Sequence, residues 1–143
     1  MIKPPDEQIL RLRAAIREHD FLHRIRRTIE QLLKVVFRAD AADSLDVRAA
    51  AEEILMTDIL TRHHGNIDGV YFSLRKAEEA GHNWEQAIAD YAAYAHNYFT
   101  TPLGVVLRRD IFGDDCHFIT PAAGRYLSAA QRSTQPSSDV DVR

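Results

Sequence analysis

Ile9, Leu12 and Ile16 fall three and four residues apart, and Leu22, Ile25, Ile29, Leu32 and Val36 continue at three, four, three and four. Only an α-helix brings such positions onto one side, so residues 6–38 must be helical, with one long apolar seam. The phase slips at His19-Asp20, where either one helix bends or Asp20 caps a second. Unbroken, residues 7–38 would span about 48 Å at 1.5 Å per residue. That is long for a small domain, so we expect self-association through residues 9–36 as well as internal packing. Pro4 and Pro5 precede Asp6, which is placed to cap the start of this arm.

Residues 39–44 form a polar break, after which residues 45–63 carry Val47, Ala50, Ile54, Leu55 and Ile59 on one helical face. Gly65 stops that helix. A short helix follows, with Val70, Tyr71, Leu74 and Ala77, and Gly81 ends it. Asn83 with Gln86 three residues later reads as a capping box. The helix it opens places Trp84, Ile88, Tyr91, Ala95 and Tyr98 on one stripe and is expected to end near Thr100-Thr101-Pro102. Beyond Pro102 residues 105–112, then Gly113-Asp114-Asp115, then residues 116–120 read as strand, turn, strand. Thr120 and Pro121 would open a last short helix over 121–131, and the Ser-, Pro- and Asp-rich residues 132–143 read as a disordered tail. The expected fold is a mainly α helical bundle. It has a long N-terminal helix or helix pair (6–38), core helices (45–100) and a small C-terminal β-hairpin (105–120), in one domain over 1–131.

Charge narrows the function classes. Residues 1–40 hold nine Lys/Arg against six Asp/Glu, and residues 41–100 hold four against ten. That acidic middle disfavours broad nucleic-acid coating, which needs a basic face. The basic arm is expected to pair with the acidic middle, within the fold or across a dimer. A single cysteine, Cys116, excludes a disulfide scaffold or a multi-cysteine zinc site. The first residues carry no apolar run of signal-peptide type, and no stretch has the length of a membrane span, so a cytoplasmic protein without membrane contact is expected. Usage rich in Ala, Arg and Asp and poor in Lys is that of a GC-rich bacterial gene.

Candidate chemistry is sparse. His19 and His23, four apart on one helix face, could ligate a metal together with His63 and His64. No Glu-x-x-His pair or His-Glu-x-x-His motif accompanies them. The carboxylates Glu52, Glu53, Asp58, Glu78, Glu79, Glu85 and Asp90 are expected mostly on faces opposite the apolar stripes, in solvent. Cys116 beside His117 is poorly placed for proton transfer, since neighbours on an extended segment point apart. With no Gly-rich phosphate loop, nucleophile elbow or dinucleotide fingerprint, there is no residue on which to hang catalysis, and no cofactor is expected.

Two segments resemble known families. Tyr71 to Tyr94, and above all Trp84-Glu85-Gln86-Ala87-Ile88-Ala89-Asp90-Tyr91, is similar to one tetratricopeptide-type helical hairpin, although Arg75 stands where that repeat has a small residue. The resemblance implies a hairpin used for binding protein. Leu107 to Leu127, with Ile119-Thr120-Pro121-Ala122-Ala123-Gly124-Arg125, is similar to the strand, wing, strand and final helix of winged-helix regulators. It implies DNA binding with Arg108 and Arg109 as wing contacts to phosphate. The helix that would enter the groove, 84–99, carries no Lys or Arg.

Together these features lead us to expect a non-catalytic interaction or regulatory module that binds another protein through Trp84, Tyr91, Tyr94 and Tyr98. A DNA-binding regulator using Arg108 and Arg109, and a histidine metal site, are the alternatives.

Overall fold

The computed structural model describes residues 4–37 and 44–117. They form α1 (Asp6–Glu18), α2 (Asp20–Phe37), α3 (Ser44–Arg62), α4 (Ile67–Glu79), α5 (Trp84–Phe99) and α6 (Pro102–Phe112), closed by a 3-10 turn at Gly113–Asp115. No strand occurs among the described residues, and none of the helices is long and apolar enough to cross a membrane.

The N-terminal seam is helical, and the phase slip is a break. His19 takes an extended conformation (φ −80°, ψ 123°) between α1 and α2. Pro5 occupies the N-cap of α1 without a side-chain bond, and Asp6 is the first helical residue. With the helix broken, α1 folds back on α2 and α3, and α2 packs chiefly on α5 and α3. Ile9, Leu12, Ile16, Leu22, Ile25 and Ile29 are therefore buried in the protomer's own core, and Leu32 packs against it. From Ile9 to Leu32 the seam is thus packed within the protomer. Over residues 6–35, Leu10 and Val35 are the exposed large apolar side chains.

The middle helices start and stop where local chemistry dictates. His63 N–H and Gly65 N–H both donate to Ile59 C=O, and Gly65 adopts φ +83°, which closes the end of α3. The Asn66 side chain accepts from Asp68 N–H at the start of α4. Asn83 accepts from Gln86 N–H at 2.7 Å, while the Gln86 amide turns to Asp90 and leaves the capping box one-sided.

The expected β-hairpin is absent from 105–112, because that stretch is α6. Thr101-Pro102 starts a helix there and does not merely end one. The Thr101 side chain accepts from Gly104 N–H, and Pro102 sits in the first turn, where its missing N–H costs nothing. Gly104, Val105, Arg108 and Ile111 then face inward at helical spacing. Gly104 permits the tight corner. A Cβ there would lie 2.3 Å from Phe99 Cα, against backbone that cannot yield. Residues 118–120, the expected helix 121–131 and the tail 132–143 lie outside the described residues.

At the centre is α3, which touches every other α-helix. Its residues 51–59 are all buried, including Glu52, Glu53, Thr57 and Asp58.

Candidate functional site

Of the seven carboxylates expected in solvent, three are buried on α3. Burying such a group is costly unless it is paired and hydrogen-bonded, so each must be matched. Glu52 is met by α1. Arg17 donates to it from Nε (3.0 Å) and Nη2 (3.3 Å), and Arg13 Nε lies 3.5 Å away. Arg24 on α2 pairs with Glu85 on α5. The basic arm and acidic middle therefore do pair within the protomer.

Glu53 gathers the end of the described chain. Its Oε1 accepts from His117 N–H (2.8 Å), the Cys116 thiol (3.3 Å) and Arg108 Nη2 (3.4 Å), while Oε2 lies 2.7 Å from His117 Nδ1. Arg108 also donates to His117 C=O at 2.6 Å. Arg108 is thus a buried helical residue and not a wing contact, and Arg109 on the same helix pairs with Asp114. Burial pushes the Cys116 thiol up to about 12, with Glu53 adding to the shift and Arg108 opposing it. The thiol stays protonated near neutral pH, and both Cys116 and His117 address Glu53. A thiolate nucleophile is not available in that arrangement.

Asp58 ties α3 to α5. It accepts a hydrogen bond from the Tyr91 hydroxyl and a two-pronged one from Arg62, Nε to Oδ1 at 3.0 Å and Nη2 to Oδ2 at 3.2 Å. Since the Tyr91 proton goes to Asp58, His63 Nε2, 3.2 Å from the phenol oxygen, is the donor in that contact. Burial, reinforced by the charge of Asp58, raises the Tyr91 pKa far above its ordinary value, so the hydroxyl remains a donor. Burial lowers that of His63 against the opposing pull of Asp58. This is a structural tie with one open side. The same Arg62 guanidinium lies over the rings of Tyr91 (5.0 Å) and Tyr94 (4.7 Å).

Beside Arg62 a groove of about 260 Å³ runs between α3, α5 and α6, lined by Thr61, Tyr94, Tyr98, Phe99 and Leu107 as well as Asp58 and Arg62. Tyr94 and Tyr98 stack at 6.1 Å and 23° while remaining 45% and 40% exposed. Leu103 on α6 is 57% exposed.

The four aromatic residues singled out in the sequence are therefore divided. Tyr94 and Tyr98 stand together at the groove, Tyr91 is buried behind them, and Trp84 lies at the far end of α5 against Tyr71. The histidines are scattered too. His19 sits at the α1–α2 junction, His23 is 3.4 Å from Arg26, His63 is on Tyr91, and His64 is exposed with φ +54°. Among the described residues no three His, Cys, Asp or Glu side chains are grouped to hold a metal ion.

A two-faced reading of α3 puts these carboxylates in solvent. Val47, Ala50, Ala51, Ile54, Leu55, Met56, Ile59 and Leu60 in fact ring most of its circumference, which marks a helix enclosed on all sides. Charges on such a helix must be paired. No protein-family model, curated protein or solved structure matches the chain.

Proposed function

We propose that the protein is a non-catalytic binding module that docks a segment of another protein in the groove between α3, α5 and α6. The observation that carries this reading is the exposed, stacked pair Tyr94–Tyr98 beside that groove. Tyrosine offers a large contact area with few rotatable bonds, and it is enriched among the residues that dominate binding energy. Phe99 and Leu107 supply an apolar lining, and Leu103 extends the apolar surface onto α6. Arg62 is held by Asp58 and the two tyrosine rings, so it is pre-oriented before a partner arrives.

The test is affinity capture from the source cell with the wild-type chain and with Tyr94→Ala/Tyr98→Ala. Both residues are exposed, so the variant should melt within a few degrees of wild type. A stoichiometric protein captured by wild type and lost from the variant is the expected result. Equal capture by both, with the variant folded, removes the groove from the interaction.

A further inference from the structure

A second aromatic surface lies at the opposite end of α5, about 21 Å from Tyr98 at 1.5 Å per residue. There His19, Phe21, Tyr71, Phe72 and Trp84 form a continuous chain of rings drawn from the α1–α2 junction, α4 and the start of α5. Successive centroids are 5.7 Å (His19–Phe21), 5.7 Å (Phe21–Tyr71), 6.3 Å (Tyr71–Phe72) and 6.1 Å (Tyr71–Trp84). Phe21 and Trp84 are half-buried and support the patch, whereas Phe72 is 65% exposed and Tyr71 39%. The contacts of Tyr71 with its three neighbours are edge-on, at 60–69° between planes. Each such contact sets one ring's edge on another's face, so the surface left for a ligand is that of the exposed rings, Phe72 above all, and a ring face attracts cations.

The rim supplies the matching sign. Glu18 precedes His19 and Asp20 precedes Phe21, Asp68 lies one turn before Phe72, Glu85 follows Trp84, and Glu78 and Glu79 end α4. Against these six acidic residues stand Arg24, Arg75 and Lys76. Arg24 serves Asp20 and Glu85, and Arg75 serves Glu78. That leaves Glu18, Asp68 and Glu79, all exposed, with no ion-pair partner shown among the described residues, against one exposed cation, Lys76, for which none is shown either, so the rim keeps a net negative charge. An apolar, ring-faced surface with an acidic border attracts cations and repels anionic lipid headgroups.

We propose that this patch docks an arginine-rich segment of a protein partner, with guanidinium groups over Phe72 and Tyr71 and charge contacts to Glu18, Asp68 and Glu79. The chain already makes the same type of contact internally, with Arg62 over Tyr91 and Tyr94. Arginine suits the site better than lysine because its planar, weakly hydrated head stacks on rings. This second surface does not depend on the groove at Tyr94–Tyr98 and would make the protein a two-ended adaptor.

Trp84, the chain's single tryptophan, provides the readout because it touches Tyr71. The 143-residue chain is titrated with a tryptophan-free octa-arginine peptide while Trp84 emission is followed. A saturable change is expected. It should weaken at least about fivefold in Phe72→Ser and several-fold in Glu18→Gln/Asp68→Asn. It should also weaken between about 50 mM and about 300 mM NaCl and be unchanged in Tyr94→Ala/Tyr98→Ala. The carboxamide variant keeps the test open if Phe72→Ser perturbs α4. No saturable change overturns the proposal, as does binding that ignores both variants, which would be bulk charge attraction. A blue shift with neutral phosphatidylcholine vesicles that octa-arginine does not reverse would make the patch a lipid-contacting surface, and also overturns it.

Discussion

Removing Glu53 is the sharpest test of how this fold is held. In Glu53→Ala the Arg108 guanidinium, 2% exposed, loses its buried carboxylate, and Cys116 and His117 lose their common acceptor. Breaking a buried ion pair from one side costs about 3–5 kcal/mol, because the remaining charge stays desolvated. A domain of this size has roughly 5–15 kcal/mol of total stability. With a urea slope of about 2 kcal/mol per molar, the midpoint should fall by about 1.5–2.5 M. Two companions separate charge from shape. Glu53→Gln retains an acceptor for His117 N–H and should lose less, about 1.5–3 kcal/mol. Glu53→Leu/Arg108→Met removes both charges together and should recover the part of the loss that comes from the unpaired Arg108, while His117 N–H and Cys116 still lack their acceptor. Urea unfolding followed by far-ultraviolet circular dichroism gives all three values. A Glu53→Ala midpoint within about 0.5 M of wild type would refute the clamp, because about 1 kcal/mol is what an exposed pair contributes.

Tyr91→Phe removes the hydroxyl donor from buried Asp58 and should cost about 1–3 kcal/mol in the same urea experiment. Gly104→Ala places a methyl group 2.3 Å from Phe99 Cα and should cost at least about 1–3 kcal/mol, visible as a lower Tm. Asn83→Ala should cost about 1 kcal/mol by uncapping α5. Burial lowers the pKa of both His63 and His96 below the ordinary 6.5, so the unfolded chain takes up protons more readily than the folded one. Stability should therefore be level above pH 6.5 and decline as the pH falls below it. The Tm at about pH 5.5 should be lower than at about pH 7.5, and by less in His63→Gln/His96→Gln. An equal or higher Tm in acid would contradict the burial of these rings.

Most helix boundaries were legible because short-range chemistry sets them: Gly65 ends α3, and Asn83 opens α5. The α1–α2 seam was legible through its spacing, but not its destination. The same stripe suits a neighbouring helix in the protomer or one in a second copy, and the break at His19 is what lets α1 fold back so that residues 9–29 are buried within the protomer. Helix α6 was missed because Thr101-Pro102 reads both as the stop of one helix and the start of the next. The β-branched pair Val105-Val106 tipped the balance towards strand, and burial of Gly104, Arg108 and Ile111 on one face overrides that propensity. For the candidate site, the aromatic spacing of α5 located Tyr94 and Tyr98. It could not show that Trp84 belongs to a different patch, because that depends on which neighbours cover each end of α5. Phe72 went unnoticed because a single exposed aromatic side chain leaves no periodic trace.

The enclosure of α3 has a consequence for measurement. A helix touched by all five others cannot peel away by itself, so the amides of residues 51–59 should exchange with solvent only when the whole domain opens. Their exchange rate is then a gauge of global stability. Any ligand that binds only the folded chain slows that exchange by a factor of 1 + [L]/Kd, whichever surface it occupies. Hydrogen exchange at these nine positions would register a partner at the groove, at the ring patch or at both, before either partner had been identified.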